Sequence, residues 1–308
     1  QYFLYLSLIC VMLIRIATRE SPLAINQALI VAKELQFYHP RIKVKLVKLK
    51  TQGDILIHHS LSKIGGKGLF LKEIEQALID DDADIAVHSM KDVPSNQNQS
   101  LEINCIIKRG NPRDAFISIK YKSFLSMPKG ATIGTSSHRR RGQILSLRPD
   151  LEVINLRGNI NTRLQKLKDN TVDSIILAAA GLERNNLKEV INHYFDIDEM
   201  LPAIAQGAIG VQNKKNNDEI KKILQPLNHK VTQLTIDSER SFLKSFSGDC
   251  STPIASYCYI CGDKLILKSG YFNENGNSQF YALEEGDIDK GNILGIKSAE
   301  KIKKIIFY

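Results

Sequence analysis

Cys250 lies in the stretch "FSGDCSTPIA", between a Gly-Asp step and a Ser-Thr-Pro step. A structural thiol belongs in an apolar run, whereas these small, polar neighbours suit a turn that another molecule can reach. A thiolate would be the strongest nucleophile in the chain, because neither a Gly-x-Ser-x-Gly elbow nor a His-Glu-x-x-His motif occurs. Basic surroundings would lower the pKa of that thiol and activate it. Without them it is an inert turn cysteine.

Basic residues do recur, at one kind of place. Arg19 follows "RIAT", Lys91 follows "IAVHS", Arg139 and Arg140 follow "GTSS", Arg157 ends "VINLR" and Arg184 lies just beyond "LAAAGL". Arg163 comes soon after Arg157, and Thr135, Ser136 and Ser137 add hydroxyls. In sheets of parallel strands, ligands gather beyond the carboxyl ends, where helix N-termini present free N–H groups. Cations collected there suit a ligand with several carboxylates or phosphates. One such arginine is ordinarily a solvated surface group; a set in equivalent positions points to a site. Asp92 is the acid among these bases. It is either a salt-bridge partner or the group that stabilises a passing positive charge on a substrate. "GGKG", Gly65 to Gly68, is not a nucleotide loop, since no Ser or Thr follows Lys67; a glycine hinge that drops a lysine onto an anion fits better.

Short apolar runs alternate with amphipathic segments, which predicts α/β layers around mainly parallel sheets. "LIRIA" reads as a strand, and Ser21 with Pro22 reads as the capped start of a helix. "KVKLVKL" and "ADIAVHS" read as strands, and "LFLKEIEQALID" as a helix with Leu71, Ile74 and Leu78 on one stripe. "KTQGDILIHHSLSKIGGKG" reads as a mobile loop. The pattern repeats through "ATIGTS", "LEVINLRG" and "VDSIILAAA". A third segment opens near Val231 with the helical "QLTIDSERSFLKSF", continues through strands and ends on the basic helix "SAEKIKKII". This predicts two α/β domains plus a smaller α+β domain, with Cys250 near the start of the third.

At 308 residues the chain can hold two or three cores. Its 5 cysteines are too few and scattered for a disulfide framework, so a reducing compartment, the cytoplasm, is expected. Cys258-x-x-Cys261 lacks the further ligands of a zinc site, and no metal is expected. The formal charge of +9 suits nucleic acid or a small polyanion. With no Trp, and with the cations spread over successive strand ends, nucleic acid ranks lower. The apolar opening "QYFLYLSLICVMLI" is too short for a membrane span and reads as a core strand with a short extension.

Together "RIATRESPLAINQA", "GGKGLFLKEIE", "DIAVHSMKDVPS", "IGTSSHRRR", "LRGNINTRL", "ILAAAGLERN", "LPAIAQGAIGVQ" and "GDCSTPIASY" resemble the porphobilinogen deaminase family, in order and spacing. The resemblance runs from about Ile14 to Tyr257 and continues more weakly to the end. It implies two periplasmic-binding-protein-like α/β domains plus a smaller α+β C-terminal domain. The first would comprise 12–108 with 204–226, the second 109–203 and the third 230–308. It also implies a dipyrromethane cofactor, thioether-linked to Cys250, on which four porphobilinogen units condense head to tail with loss of ammonia before hydrolytic release. Each ring carries an acetate and a propionate, which answers the need for cations. Each deamination passes through an electron-poor azafulvene, which answers the need for a lone carboxylate.

Carried over by position, Asp92 is the catalytic carboxylate. Cofactor contacts fall to Ser89, Lys91, Thr135, Ser136, Ser137, Arg139, Arg140, Arg163 and Arg184. Substrate contacts fall to Arg19, Gln27, Lys67, Phe70 and Arg157. A monomer that binds porphobilinogen, without nucleic acid or membrane, is expected. Asp249 replaces a glycine common in the family and places a carboxylate beside the attachment thiol. His138 and Arg141 are further departures. A non-catalytic anion receptor would need the arginines but neither Asp92 nor Cys250.

Overall fold

Ser21 and Pro22 open the first helix as their types predict. The Ser21 hydroxyl accepts from the Ala24 N–H at 3.3 Å, and Pro22, which has no N–H to leave unpaired, takes the first helical position. This helix, α1 (Pro22–Tyr38), packs Ala28, Val31 and Leu35 against one face of a sheet containing β1 (Leu13–Arg19), β2 (Lys43–Leu49) and β3 (Ile85–Ser89). Residues alternate between faces along a strand, so Ile14 and Ile16 join that layer while Ala17 joins the other. There α2 (Lys72–Ile79) buries Ile74, Ala77 and Leu78. The structure is a computed structural model that describes residues 12–51, 71–96, 98–248 and 252–307. The glycine-containing loop expected before α2 and the apolar opening lie almost wholly outside the described residues.

Two five-stranded sheets follow one plan. The first has the order β2-β1-β3-β10-β4, with β4 (Leu101–Ile106) at the edge and β10 (Ile209–Lys214) reversed between β3 and β4. The second runs β7-β6-β8-β5-β9. It contains β5 (Asp114–Ser118), β6 (Thr132–Gly134), β7 (Glu152–Ile154), β8 (Ser174–Ala178) and β9 (His193–Tyr194), with β5 reversed. Each reversed strand arrives from the other sheet, so the chain crosses between the two layers twice. The crossings lie side by side: the Ile107 N–H donates to the Ile209 carbonyl at 3.2 Å and the Gly110 N–H to the Gly207 carbonyl at 3.0 Å. Gly207 has φ +88°, and a Cβ there would lie 2.8 Å from the Gly110 carbonyl oxygen. Only glycine meets both conditions without strain.

Helices α3 (His138–Leu147), α4 (Ile160–Lys168) and α5 (Ala179–Arg184) accompany the second sheet, and α6 (Asp218–Leu224) the first. The third unit is an antiparallel meander of β11 (Ile254–Cys261), β12 (Lys264–Phe272) and β13 (Gln279–Asp287), backed by α7 (Lys230–Phe246) and α8 (Gly291–Phe307). One apolar cluster, including Met90, Ile204, Phe242, Phe246, Ile254 and Ile302, joins the exit of β3, the second crossing and this unit. The architecture is therefore two α/β domains and a smaller α+β domain, as expected.

Two local features differ from expectation. The strand expected through "VINLR" ends at Ile154, so Arg157 sits in the loop beyond it. The terminal helix expected at "SAEKIKKII" already begins at Gly291. Cys258 and Cys261 share β11, where a three-residue spacing turns side chains to opposite faces. Cys258 is buried and Cys261 exposed, so the pair cannot close on one metal.

Candidate active site

Asp92 owes its position to a tight turn. β3 runs straight into a single 3-10 turn, Met90–Asp92, in which successive side chains point about 120° apart. Met90 is driven inward and is 2% exposed, Lys91 is half-buried, and Asp92 is left at the surface. Ser89, the last residue of β3, exchanges a hydrogen bond with buried Gln27 of α1, whose Nε2 lies 2.7 Å from the Ser89 oxygen. Arg19 ends the neighbouring β1 and is half-buried.

Across from this turn the second sheet supplies the N-terminus of α3. The Ser137 hydroxyl caps it by accepting from the Arg140 N–H at 3.4 Å, and Thr135 Oγ1 accepts from the Ser137 N–H at 3.2 Å. Arg139 and Arg140 occupy the first turn of α3 and are only 4% and 7% exposed. Arg139 Nη1 lies 2.8 Å from Asp114 Oδ2 and donates to the Leu201 carbonyl at 2.7 Å. Arg140 donates through Nε and Nη2 to Asp114 Oδ1, at 3.1 and 2.7 Å, and through Nη1 to the Ile176 carbonyl. Arg139 Nε is buried with no hydrogen-bond partner. The two residues are thus held inside the protein by a shared carboxylate.

The electrostatics show which groups share one neighbourhood. Burial lowers the Lys91 ammonium most; Asp92 opposes this, while Arg140 and Arg139 add to it. Arg163 of α4 falls to about 10 through burial first, then through Arg140 and Arg157. Its Nε donates to the Gly158 carbonyl at 2.8 Å and its Nη2 to Ser136 Oγ at 3.4 Å. Burial would raise the Asp114 carboxyl, but Arg139 and Arg140 overcome that and hold it far below the usual carboxylate range. Lys91, Asp92, Arg139, Arg140, Arg157 and Arg163 therefore feel one another. Arg184, at the end of α5, is lowered to about 10 by burial and donates to the Gly207 carbonyl at 2.6 Å, beside the crossing. Cys250, Asp249, Lys67 and Phe70 lie outside the described residues.

Arg139 and Arg140 share one carboxylate, Asp114, with Arg163 close enough to Arg140 to be repelled by it, and Arg139 Nε keeps a buried N–H with no hydrogen-bond partner. That donor set fits a dipyrromethane bearing carboxylate arms. Sequence reading missed Asp114, whose carboxylate opens an otherwise apolar strand, "DAFIS". A buried acid in that setting is the one signal that could have found it. His138 and Arg141 leave the cluster intact: His138 Nδ1 lies 2.8 Å from Glu274 Oε1, and Arg141 Nη1 donates to the Val153 carbonyl.

His88, just behind the turn, gives a pH test of the scaffold. Burial pushes its imidazole down to about 4, against the hydrogen bond its Nε2 makes with Gln212 Oε1 at 2.9 Å. The unfolded chain therefore takes up a proton near 6.5 that the folded protein refuses until about 4. Stability contributed by this residue is complete above 6.5 and falls as pH drops through that window, by about 3 kcal/mol in full. Urea unfolding at pH 7 and at pH 4.5 should show the loss, and His88→Gln should reduce it; an equal loss in both proteins would remove His88 as the cause.

A family model described as "Porphobilinogen deaminase, dipyromethane cofactor binding domain" matches residues 14–222, and one described as "Porphobilinogen deaminase, C-terminal domain" matches residues 233–304. Among solved structures, the chain is similar to a putative methionine-binding lipoprotein from Bacillus subtilis (14% identity, 71% of this chain and 92% of that one, TM-score 0.45). It is also similar to a nutrient binding protein from Burkholderia cenocepacia bound to methionine (13%, 70% and 91%, TM-score 0.44). A third is the periplasmic aliphatic sulphonate binding protein from Escherichia coli (12%, 76% and 70%, TM-score 0.40). Likenesses this distant transfer no ligand to the chain. The two family matches run in order over nearly all of it, and the chain belongs to the porphobilinogen deaminase family.

Proposed function

We propose that Asp92 is the catalytic carboxylate of this deaminase and that Cys250 carries its primer. The enzyme condenses four porphobilinogen molecules head to tail, releases ammonia at each addition, and frees hydroxymethylbilane by hydrolysis. The observation that carries the assignment of Asp92 is its exposure on the turn after β3, beside Lys91, whose electrostatic neighbours include Arg140 and Arg139.

When bound, the dipyrromethane supplies a primer with a nucleophilic ring carbon. The residues around it do the rest. Arg139, Arg140, Arg163, Arg184 and Lys91 hold its acidic arms, helped by hydroxyls of Ser89, Thr135, Ser136 and Ser137 and by free N–H groups at the start of α3. Arg19, Gln27 and Arg157 receive the arriving pyrrole, and Lys67 and Phe70, outside the described residues, are assigned to the same task. As the aminomethyl C–N bond breaks, nitrogen leaves with the electron pair and positive charge spreads over the pyrrole. The Asp92 oxygens accept from the pyrrole N–H and stabilise that charge, a carboxylate already fixed in place needing no reorganisation as the charge develops.

The domain limits that go with this reading are 12–108 with 204–226, 109–203 and 230–308. The double crossing supports the discontinuous first domain. We also assign the enzyme to the cytoplasm, as a monomer. No described helix is long and apolar enough to cross a membrane. The test is an intact mass of protein purified from cells. It should exceed the sequence mass by one dipyrromethane, with Cys250→Ser lacking the increment; an unmodified mass in a fully active enzyme would refute the attachment.

A further inference from the structure

Asp114 has no part in the chemistry proposed above, yet it contacts both arginines that open α3. We infer that Asp114 is a positioning residue, which fixes Arg139 and Arg140 in one geometry to receive the acidic arms of the growing oligopyrrole, with Gln206 holding Asp114 in turn. This rests on the reading that the arginine pair binds those arms.

The geometry is specific. Asp114 is the first residue of β5, fully buried, in the one strand of its sheet that arrives from the first domain. Its Oδ1 accepts from Arg140 Nε and Nη2 and from Gln206 Nε2 at 3.0 Å, while its Oδ2 faces Arg139 Nη1 at 2.8 Å. One carboxylate thus spans two adjacent guanidinium groups that would otherwise repel each other and Arg163. Gln206 is 1% exposed and lies on the returning crossing. Its amide also donates to the Pro112 carbonyl at 2.8 Å, so it clamps Asp114 from the segment beside it. A neutral amide fits here: a second carboxylate would cancel the pair's remaining positive charge, which the acidic arms require.

Deleting the shared charge without changing shape leaves two buried arginines uncompensated, and they rotate or draw in water. Orientation is then lost although positive charge is not. Asp114→Asn should cut the share of the folded fraction that carries the primer, read by intact mass, about tenfold, with Asp114→Glu recovering most of the loss. Gln206→Leu, which removes one of the bonds to Oδ1, should cut that share about threefold. A merely structural role would lower the amount of folded enzyme and leave the primer share of the remainder unchanged. That result overturns the inference, as does a higher primer share in Asp114→Asn, which would mean that the carboxylate competes with the acidic arms for the guanidinium groups. If Asp114→Asn does not fold, Gln206→Leu decides alone, and a wild-type primer share there refutes the clamp. A missing primer mass in the wild-type enzyme would instead sink the functional reading itself.

Discussion

Asp92→Asn should lower kcat by about a hundredfold or more while the protein keeps its fold and its primer. The substitution preserves size and one acceptor oxygen but turns the other into a donor and removes the negative charge. Asp92 is exposed on a 3-10 turn whose inward residue is Met90, so the fold asks little of its side chain. The expected loss is therefore catalytic. It should appear in kcat and kcat/KM together, because the interaction forms only as positive charge develops on the pyrrole. Asp92→Glu keeps the charge and moves it by one methylene, so an intermediate loss is expected. Stopped-assay measurement of ammonia release, with intact mass to confirm the primer, checks both. Normal turnover by Asp92→Asn would withdraw the residue from the mechanism.

Glu239→Ala should destabilise the folded protein by about 3–5 kcal/mol, a large part of the stability of an ordinary domain. Glu239 of α7 is 0% exposed and accepts four times. Arg109 Nη1 and Nη2 donate to it at 2.6 and 3.3 Å, the Ala205 N–H at 2.7 Å and the Cys258 N–H at 2.9 Å. Those donors belong to the first crossing, the second crossing and the third domain, so one carboxylate fastens all three. Alanine would strand a guanidinium whose side chain is 11% exposed, together with two backbone N–H groups. The residual stacking of Arg109 over Tyr257, at 5.0 Å, cannot compensate. Urea unfolding measures the loss, and a change below about 1 kcal/mol would show that water restores the lost bonds. The same packing explains why Cys258 is a poor candidate for redox work: burial, with Glu239 nearby, pushes its thiol up to about 12.

Much of the fold and the site is legible in the residues themselves. The helix start at Ser21–Pro22 and the strand before Lys91 follow from local chemistry, which needs no partner from elsewhere. Cations at strand exits are legible for the same reason, because a charged residue closing an apolar run can only sit at an edge. What the sequence does not show is which of those charges are already satisfied. Arg139 and Arg140 look like open cations in "SHRRR", but Asp114, 26 residues before Arg140, binds both. Counter-ions depend on sheet order, and sheet order depends on a strand, Ile209–Lys214, inserted from far along the chain. Arg157 is misplaced at a strand end because "VINLR" keeps its apolar alternation past the point where pairing stops at Ile154.

That inserted strand has a consequence for how the protein is made. The pieces of the second sheet, from Asp114 to Tyr194, emerge from the ribosome in one uninterrupted run and can assemble at once. The first sheet, although its synthesis begins earlier, has a gap between Ile85–Ser89 and Leu101–Ile106 until Lys214 has been translated. Until then both strands bordering the gap expose unpaired backbone, the kind of edge that invites wrong partners. Biosynthesis and maturation therefore run in opposite order: the half that carries Asp92 is the first to be translated and the later of the two to close.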